Sequence, residues 1–297
     1  MAQIIGSFAA LGDSFTEGMN DIGPDGVFLG WADRTAQALA ARVPDFRYAN
    51  LAIRGKLAQE VHDEQIGPAI AMSADLVSLA AGGNDILRGA DVDNLAVIFD
   101  SCVAQLRAAG LRVMIFTGFD PRFPIIRMLR GRIAAYNMHL RAIADERGCE
   151  LVDLWSMRVL CDPRAWSEDR LHLTSDSHRR VAQRVCEVLG APGDGADWRS
   201  PLPAAGPPPW LTARREDLHW AREYALPWVN RRLRRASAGE DVLPKRPELL
   251  PVRLIRCGQL RFELTCVFLP MIRGIRTHDH GNHPSGGATG ATSGPGR

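Results

Sequence analysis

The 297-residue chain is 46% hydrophobic and 24% charged, ordinary values for a soluble globular protein with a sizeable core. Its net charge of +2 gives no reason to expect a nucleic-acid partner, although the balance is uneven. Residues 1–196 carry 20 Lys/Arg against 25 Asp/Glu, and residues 197–297 carry 16 against 9, so the two parts are expected to do different work.

The N-terminus lacks the basic n-region of a secretory signal and runs directly into an apolar stretch. The longest uncharged stretch of the tail, Leu264 to Ile272, is too short to span a bilayer, so no stable membrane insertion is expected. Six cysteines form no C-x-x-C pair and are read as reduced thiols, which makes a cytoplasmic protein the expectation.

In chain order, Ile4 to Leu11 is a short apolar run of the kind that forms a buried strand. It ends at the turn-forming cluster Gly12-Asp13-Ser14. A helical pattern follows at Trp31–Val43, then a strand at Phe46–Ala52 and a helix at Leu57–Met72. The alternation continues with a strand at Leu76–Ala81, a helix at Val92–Ala109 and a strand at Leu111–Thr117. It closes with a helix at Ile126–Arg147, a strand at Glu150–Leu154 and a helix at Ser175–Leu189. About five repeats of strand and helix predict an α/β fold, a parallel sheet covered by helices on both faces.

The character changes at Gly190. Residues 191–209 contain six prolines and are expected to form an extended linker or surface strap. Thr212–Arg235 has helical periodicity, with a kink or break expected at Pro227 and three large aromatics, Trp220, Tyr224 and Trp228, that call for a packing partner. The cluster Arg231, Arg232, Arg234 and Arg235 suits a solvated helix end better than a phosphate or membrane site. Residues 249–276 alternate apolar residues with arginine and could form strands without an obvious place in the sheet. The Gly, Ser, Thr, Pro and His composition beyond His278 predicts disorder. Three segments result: a main domain over 1–190, a Pro-rich strap and Arg-rich helical extension over 191–248 packed on it, and an extension over 249–297 ending in a disordered tail.

Ligands and chemistry in such folds gather beyond the carboxyl ends of the strands. Ser14 sits at the end of the first strand, where a nucleophile belongs. On this stretch alone a helix-capping role for Asp13 or Ser14 fits as well. A serine nucleophile needs a base, an orienting acid and oxyanion donors. Asp169 and His172, in Glu168-Asp-Arg-Leu-His-Leu-Thr174, offer the acid and the base, ahead of His62, His139 and His178, which lie inside helical patterns. Gly55 after the second strand offers an unobstructed backbone N–H, and Asn84 after the third offers a side-chain amide. Taken singly, each is equally a strand-ending glycine, a turn asparagine or a solvated charge.

Together, Gly12-Asp13-Ser14, Gly55, Gly82-x-Asn84-Asp85 and Asp169-x-x-His172 resemble the four sequence blocks of the SGNH hydrolases, the GDSL esterase/lipase family, in the family's order over the first 190 residues. The resemblance implies a flavodoxin-like three-layer α/β/α sandwich with five parallel strands in the order 2-1-3-4-5. It implies Ser14 as nucleophile, His172 as general base and Asp169 as the acid of the triad. The Ser14 N–H, the Gly55 N–H and the Asn84 amide would form the oxyanion hole. No metal and no cofactor are implied. One departure is Phe15, where the family usually has leucine.

The expectation is therefore a serine hydrolase that cleaves carboxylic esters of small-molecule substrates through an acyl-enzyme. The alternatives are an acyltransferase or thioesterase using the same serine, and a non-catalytic flavodoxin-like binding module. The natural substrate and the oligomeric state are not legible in the sequence.

Overall fold

The apolar run near the N-terminus forms the strand β1 (Ser7–Gly12), every residue of which is buried. It lies between β2 (Arg47–Asn50) and β3 (Leu76–Ala80), and the sheet continues through β4 (Arg112–Phe116) to β5 (Glu150–Val152). All four pairings among these strands are parallel, and their order is the expected 2-1-3-4-5. The structure is a computed structural model and describes residues 4–24, 26–122, 126–191, 197–206, 209–227, 239 and 241–252, all within one compact unit, Met1–Ile255.

A sixth strand, β6 (Arg246–Pro251), pairs antiparallel with β2, so the sheet has six strands rather than five. It spans position 248, where composition divides the helical extension from the tail. Its Arg-Pro-Glu-Leu-Leu-Pro sequence has no period-2 apolar pattern, because most of the strand is exposed and packs little of itself against a core. The strands expected beyond it, and the disorder expected beyond His278, lie outside the described residues.

The helices connecting the parallel strands cover both faces of the sheet. On one face lie α3 (Ala58–Met72), α5 (Val92–Ala108) and α6 (Arg130–Arg147), closing a core that includes Val61, Phe99, Val103 and Leu140. On the other lie α2 (Gly30–Ala40) and α7 (Ser175–Val188), which pack Trp31, Ala36, Val181 and Val185 against Phe8 and Met114. Alternation along each strand explains the division: Ala9 and Leu11 point into the first core, Phe8 and Ala10 into the second. A three-layer sandwich results.

Two short helices escaped the periodicity argument, because neither is long enough to show a period. These are α1 (Ser14–Glu17) and α4 (Gly83–Leu87), placed directly after β1 and β3. The extension supplies α8 (Trp210–Trp220), followed by a π-helical turn over Ala221–Ala225. Lys245, just ahead of β6, is nearly buried and donates to the carbonyls of Glu17 (2.6 Å) and Phe28 (2.8 Å) while pairing with Asp33. That ammonium fastens the segment leading into β6 to the end of α1 and the start of α2. Among the described residues no helix is long and apolar enough to cross a membrane. The four described cysteines, Cys102, Cys149, Cys161 and Cys186, are free thiols.

Candidate active site

β1 ends at Gly12, whose φ of +143° only glycine adopts without strain. A Cβ there would lie 2.3 Å from the Ala80 carbonyl at the end of β3, so the close approach of the two strand ends requires glycine. The buried Gln65 side chain brackets the same residue, accepting from its N–H (2.8 Å) and donating to its carbonyl (2.9 Å). Asp13 then caps α1, its carboxylate accepting from the Phe15 N–H at 3.1 Å. The capping role belongs to Asp13, which leaves Ser14 at the first position of the helix, at the end of β1. Phe15 anchors this turn from below, its ring packed on Trp31, Phe116 and His178.

The Asp169–His172 segment is a tight loop ahead of α7. An isolated bridge pairs Trp166 with Leu173, and the Ser167 N–H donates to the His172 carbonyl at 2.8 Å. Inside this loop Asp169 Oδ1 accepts from the Leu171 and His172 N–H groups, both at 3.0 Å. Its Oδ2 lies 2.6 Å from His172 Nδ1 and also accepts from the Asn20 amide at 2.8 Å. His172 Nε2 lies 2.9 Å from Ser14 Oγ. A carboxylate only accepts, so Nδ1 carries the proton and Nε2 is the acceptor that faces the serine hydroxyl. Burial pushes the Asp169 carboxyl up, but the His172 hydrogen bond, the His172 charge and the two backbone N–H groups outweigh it and hold the group at about 2. Asp169 is thus a carboxylate throughout the physiological range.

Asn84, the second residue of α4, ties three strand-end segments together. Its amide donates to Asp13 Oδ2 (3.2 Å) after β1 and to the Lys56 carbonyl (3.0 Å) after β2, while its own segment follows β3. The loop after β2 is held to the Ser14 helix by Ile53 N–H to the Gly12 carbonyl (3.2 Å) and Arg54 N–H to the Glu17 carboxylate (2.8 Å). Gly55 follows with φ +78°, a conformation open to glycine. Both Asn84 N–H groups already have protein acceptors, which the sequence did not signal. Burial raises the Asp13 carboxyl to about 6, against the opposing pull of the Phe15 N–H and nearby His172.

The three competing histidines are elsewhere. His62 pairs with Asp63 and Gln105 on the surface of α3 and α5, and His139 pairs with Asp93. His178 is buried beside Phe15, where desolvation pushes it down to about 4 and keeps it neutral. Among the described residues His172 is the imidazole that bonds Ser14.

Ser14 opens onto a cavity of about 190 Å³. Its walls are mostly apolar and include Phe116, Ile133, Leu140, Leu154, Leu160 and Trp166. Leu140, Leu154 and Leu160 are only 1–5% exposed, so the cavity reaches the interior of the domain. Among the described residues no group of three His, Cys, Asp or Glu is placed to hold a metal ion.

The model of the GDSL-like lipase/acylhydrolase family matches residues 10–180. The chain belongs to that family. This family member is also similar in fold to several solved structures. One is a single-site variant of Axe2, an acetyl-xylooligosaccharide esterase from Geobacillus, at a TM-score of 0.54 and 20% identity, covering 63% of this chain and 97% of that one. A second is TesA, at 0.54 and 22%, covering 62% and 97%. A third is LAE5, an α/β hydrolase from the metagenome of Lake Arreo, Spain, at 0.54 and 21%, covering 62% and 95%. No curated protein matches the chain in sequence. The family match ends within α7, so α8 and β6 lie outside the matched stretch. Asn20, on the Asp169 carboxylate, was missed by sequence reasoning because it lies in no strand-end block. Its φ of +67° marks a constrained turn with no signature in the sequence.

Proposed function

We propose that this GDSL-like acylhydrolase cleaves carboxylic esters of medium-chain acyl groups through an acyl-enzyme on Ser14. The observation that carries the proposal is the unbroken chain from Ser14 Oγ to His172 Nε2 (2.9 Å) and from His172 Nδ1 to Asp169 Oδ2 (2.6 Å). His172 takes the Ser14 proton as Oγ attacks the carbonyl carbon. The collapsing tetrahedral intermediate expels the alcohol, which leaves with that proton. Water, deprotonated by the same imidazole, then releases the acid. Asp169 keeps the imidazole in the productive tautomer and offsets the imidazolium charge.

The oxyanion is received by the Ser14 N–H, the Gly55 N–H and the Asn84 amide. Of the two bonds Asn84 makes, the one to Asp13 is longer (3.2 against 3.0 Å), and it is the one the oxyanion competes for. Asn84→Ala is expected to lower kcat by about 10²–10³, with little change in KM, because the donor engages mainly in the transition state. Steady-state kinetics on one activated ester measure this. A kcat within about threefold of wild type, less than ~1 kcal/mol of lost stabilisation, would reduce Asn84 to a turn residue.

The cavity supports the acyl preference. A dry apolar cavity of roughly 150 Å³ holds benzene, so the space here suits an acyl chain of roughly six to eight carbons. The acetyl group for which Axe2 is named would leave most of it unfilled. The retained acyl half fits a buried apolar space, whereas the alcohol must depart past His172 and be replaced by water. Two p-nitrophenyl and alkyl ester series, one varying the acyl chain and one varying the alcohol, test this together with fluorophosphonate labelling. Expected are labelling of Ser14 and a maximum in kcat/KM near roughly six to eight acyl carbons. An optimum at acetyl, or length dependence only in the alcohol, overturns the acyl assignment. An unlabelled, inactive protein points to the binding module instead.

A further inference from the structure

Asp169 reaches His172 through a turn that its own sequence does not favour. Arg170, the next residue, has φ +57°, a left-handed conformation that is costly for a residue with a Cβ and is usually left to Gly, Asn or Asp. The turn is what lets the Asp169 carboxylate collect the N–H groups of Leu171 and His172 while facing the imidazole. Within the turn, the Arg170 N–H donates to the Ser167 carbonyl (2.9 Å) and opposes its relaxation.

Further restraints come from α8. The Trp220 indole N–H donates to the Asp169 carbonyl at 2.9 Å, holding the peptide that joins Asp169 to Arg170. The Arg170 guanidinium pairs with Asp217 at 2.8 Å and lies 5.2 Å over the Trp220 ring. One turn of one helix therefore grips both sides of the strained peptide, on its backbone and on its side chain. Residues 210–220 lie beyond the stretch matched by the family, so the grip comes from outside the family's matched domain.

We propose that Trp220, with Asp217 behind it, is a positioning residue for Asp169: it holds the strained Asp169–Arg170 turn in the geometry that places the carboxylate on His172. The exposed ion pair alone is a weak restraint. The indole N–H, directed at the carbonyl of the acid itself, is the stronger one. The proposal rests on the esterase function proposed for the same site, and the closing experiment separates the two.

Trp220→Phe keeps an aromatic ring near Arg170 and removes the N–H. Sites are counted by fluorophosphonate titration, so that kcat is expressed per competent serine and partial unfolding does not enter. The expected result is a fall of about tenfold in per-site kcat, with KM within about twofold, as displacement of a catalytic group acting through another residue produces. In an Asp169→Asn background the same replacement is expected to cost nothing further, because the group it positions is already gone. The low-field proton resonance expected for His172 Nδ1–H in wild type, from its 2.6 Å contact with Asp169, should shift or broaden in Trp220→Phe. That resonance reports on the Asp169–His172 contact whether or not the protein turns over esters. A wild type without ester turnover or labelling therefore overturns the esterase function, while the resonance still decides the positioning role. A per-site kcat within about twofold of wild type with an unmoved resonance overturns the role of Trp220. So does an equal loss in the Asp169→Asn background.

Discussion

Ser14→Ala is expected to abolish both ester turnover and fluorophosphonate labelling in a protein that stays folded. Removing the nucleophile of a serine hydrolase costs on the order of 10⁶ in kcat and leaves only the rate enhancement of binding and the oxyanion donors. The fold should not notice the change. The hydroxyl's bond is to His172, a contact that serves the site rather than the packing of the chain. The α1 turn is capped by Asp13 and anchored by Phe15, both of which remain. Circular dichroism and the thermal midpoint check the fold, and residual kcat on an activated ester checks the chemistry. Undiminished turnover in folded Ser14→Ala would place the reaction at another residue.

Asp169→Asn is the second large effect, about 10⁴ in kcat with KM little changed. An asparagine at 169 can turn its N–H toward Nδ1, which moves the ring proton to Nε2 and leaves no acceptor for the Ser14 hydroxyl. The same carboxylate contributes to stability, with a definite sign. Its folded-state pKa of about 2 lies below the ordinary value of 3.8, so its contribution is fully present above that ordinary value. It fades as pH falls toward about 2, where the native carboxyl takes up its proton. The carboxylate is only partly buried and solvent screens it, so its contribution at neutral pH is about 1 kcal/mol. Wild type and Asp169→Asn should therefore differ in thermal midpoint at about pH 7 and converge near about pH 2. A kcat loss below about tenfold, or a stability difference that grows on acidification, would contradict the role given to Asp169.

The sheet was legible because its five parallel strands, β1 buried throughout and β3 and β4 nearly so, read as apolar runs separated by helical patterns. The order followed from family resemblance more than from periodicity. β6 was not legible: an exposed strand needs no apolar alternation, and its partner β2 lies far earlier in the chain. Ser14, Asp169 and His172 stood out through strand-end placement and spacing, and the structure brings their side chains together. The sequence ranking of His172 over His178 rested on context alone. The physical reason is burial, since His178 is enclosed behind Phe15. What no pattern carried were contacts made by single atoms across the fold. The Asn20 amide on Asp169, the double donation of Asn84 and the Trp220 indole on the Asp169 carbonyl each join residues far apart in the chain that share no period.

The antiparallel strand at the end of the sheet closes an edge that β2 would otherwise leave open. Without β6, the backbone of β2 would present a row of unpaired N–H and C=O groups, the kind of template on which further strands assemble. β6 covers that row and does not pass the hazard on. Pro247 and Pro251 lack the N–H that a seventh strand would need, and the exposed Glu248 adds charge to the rim. At the opposite rim β5 is only three residues long, too short to recruit a neighbour well. A chain ended at Lys245, just ahead of β6, would keep α7 and α8 and lose this protection on one side. Aggregation would then be the first symptom of the truncation, ahead of any change in the chemistry at Ser14.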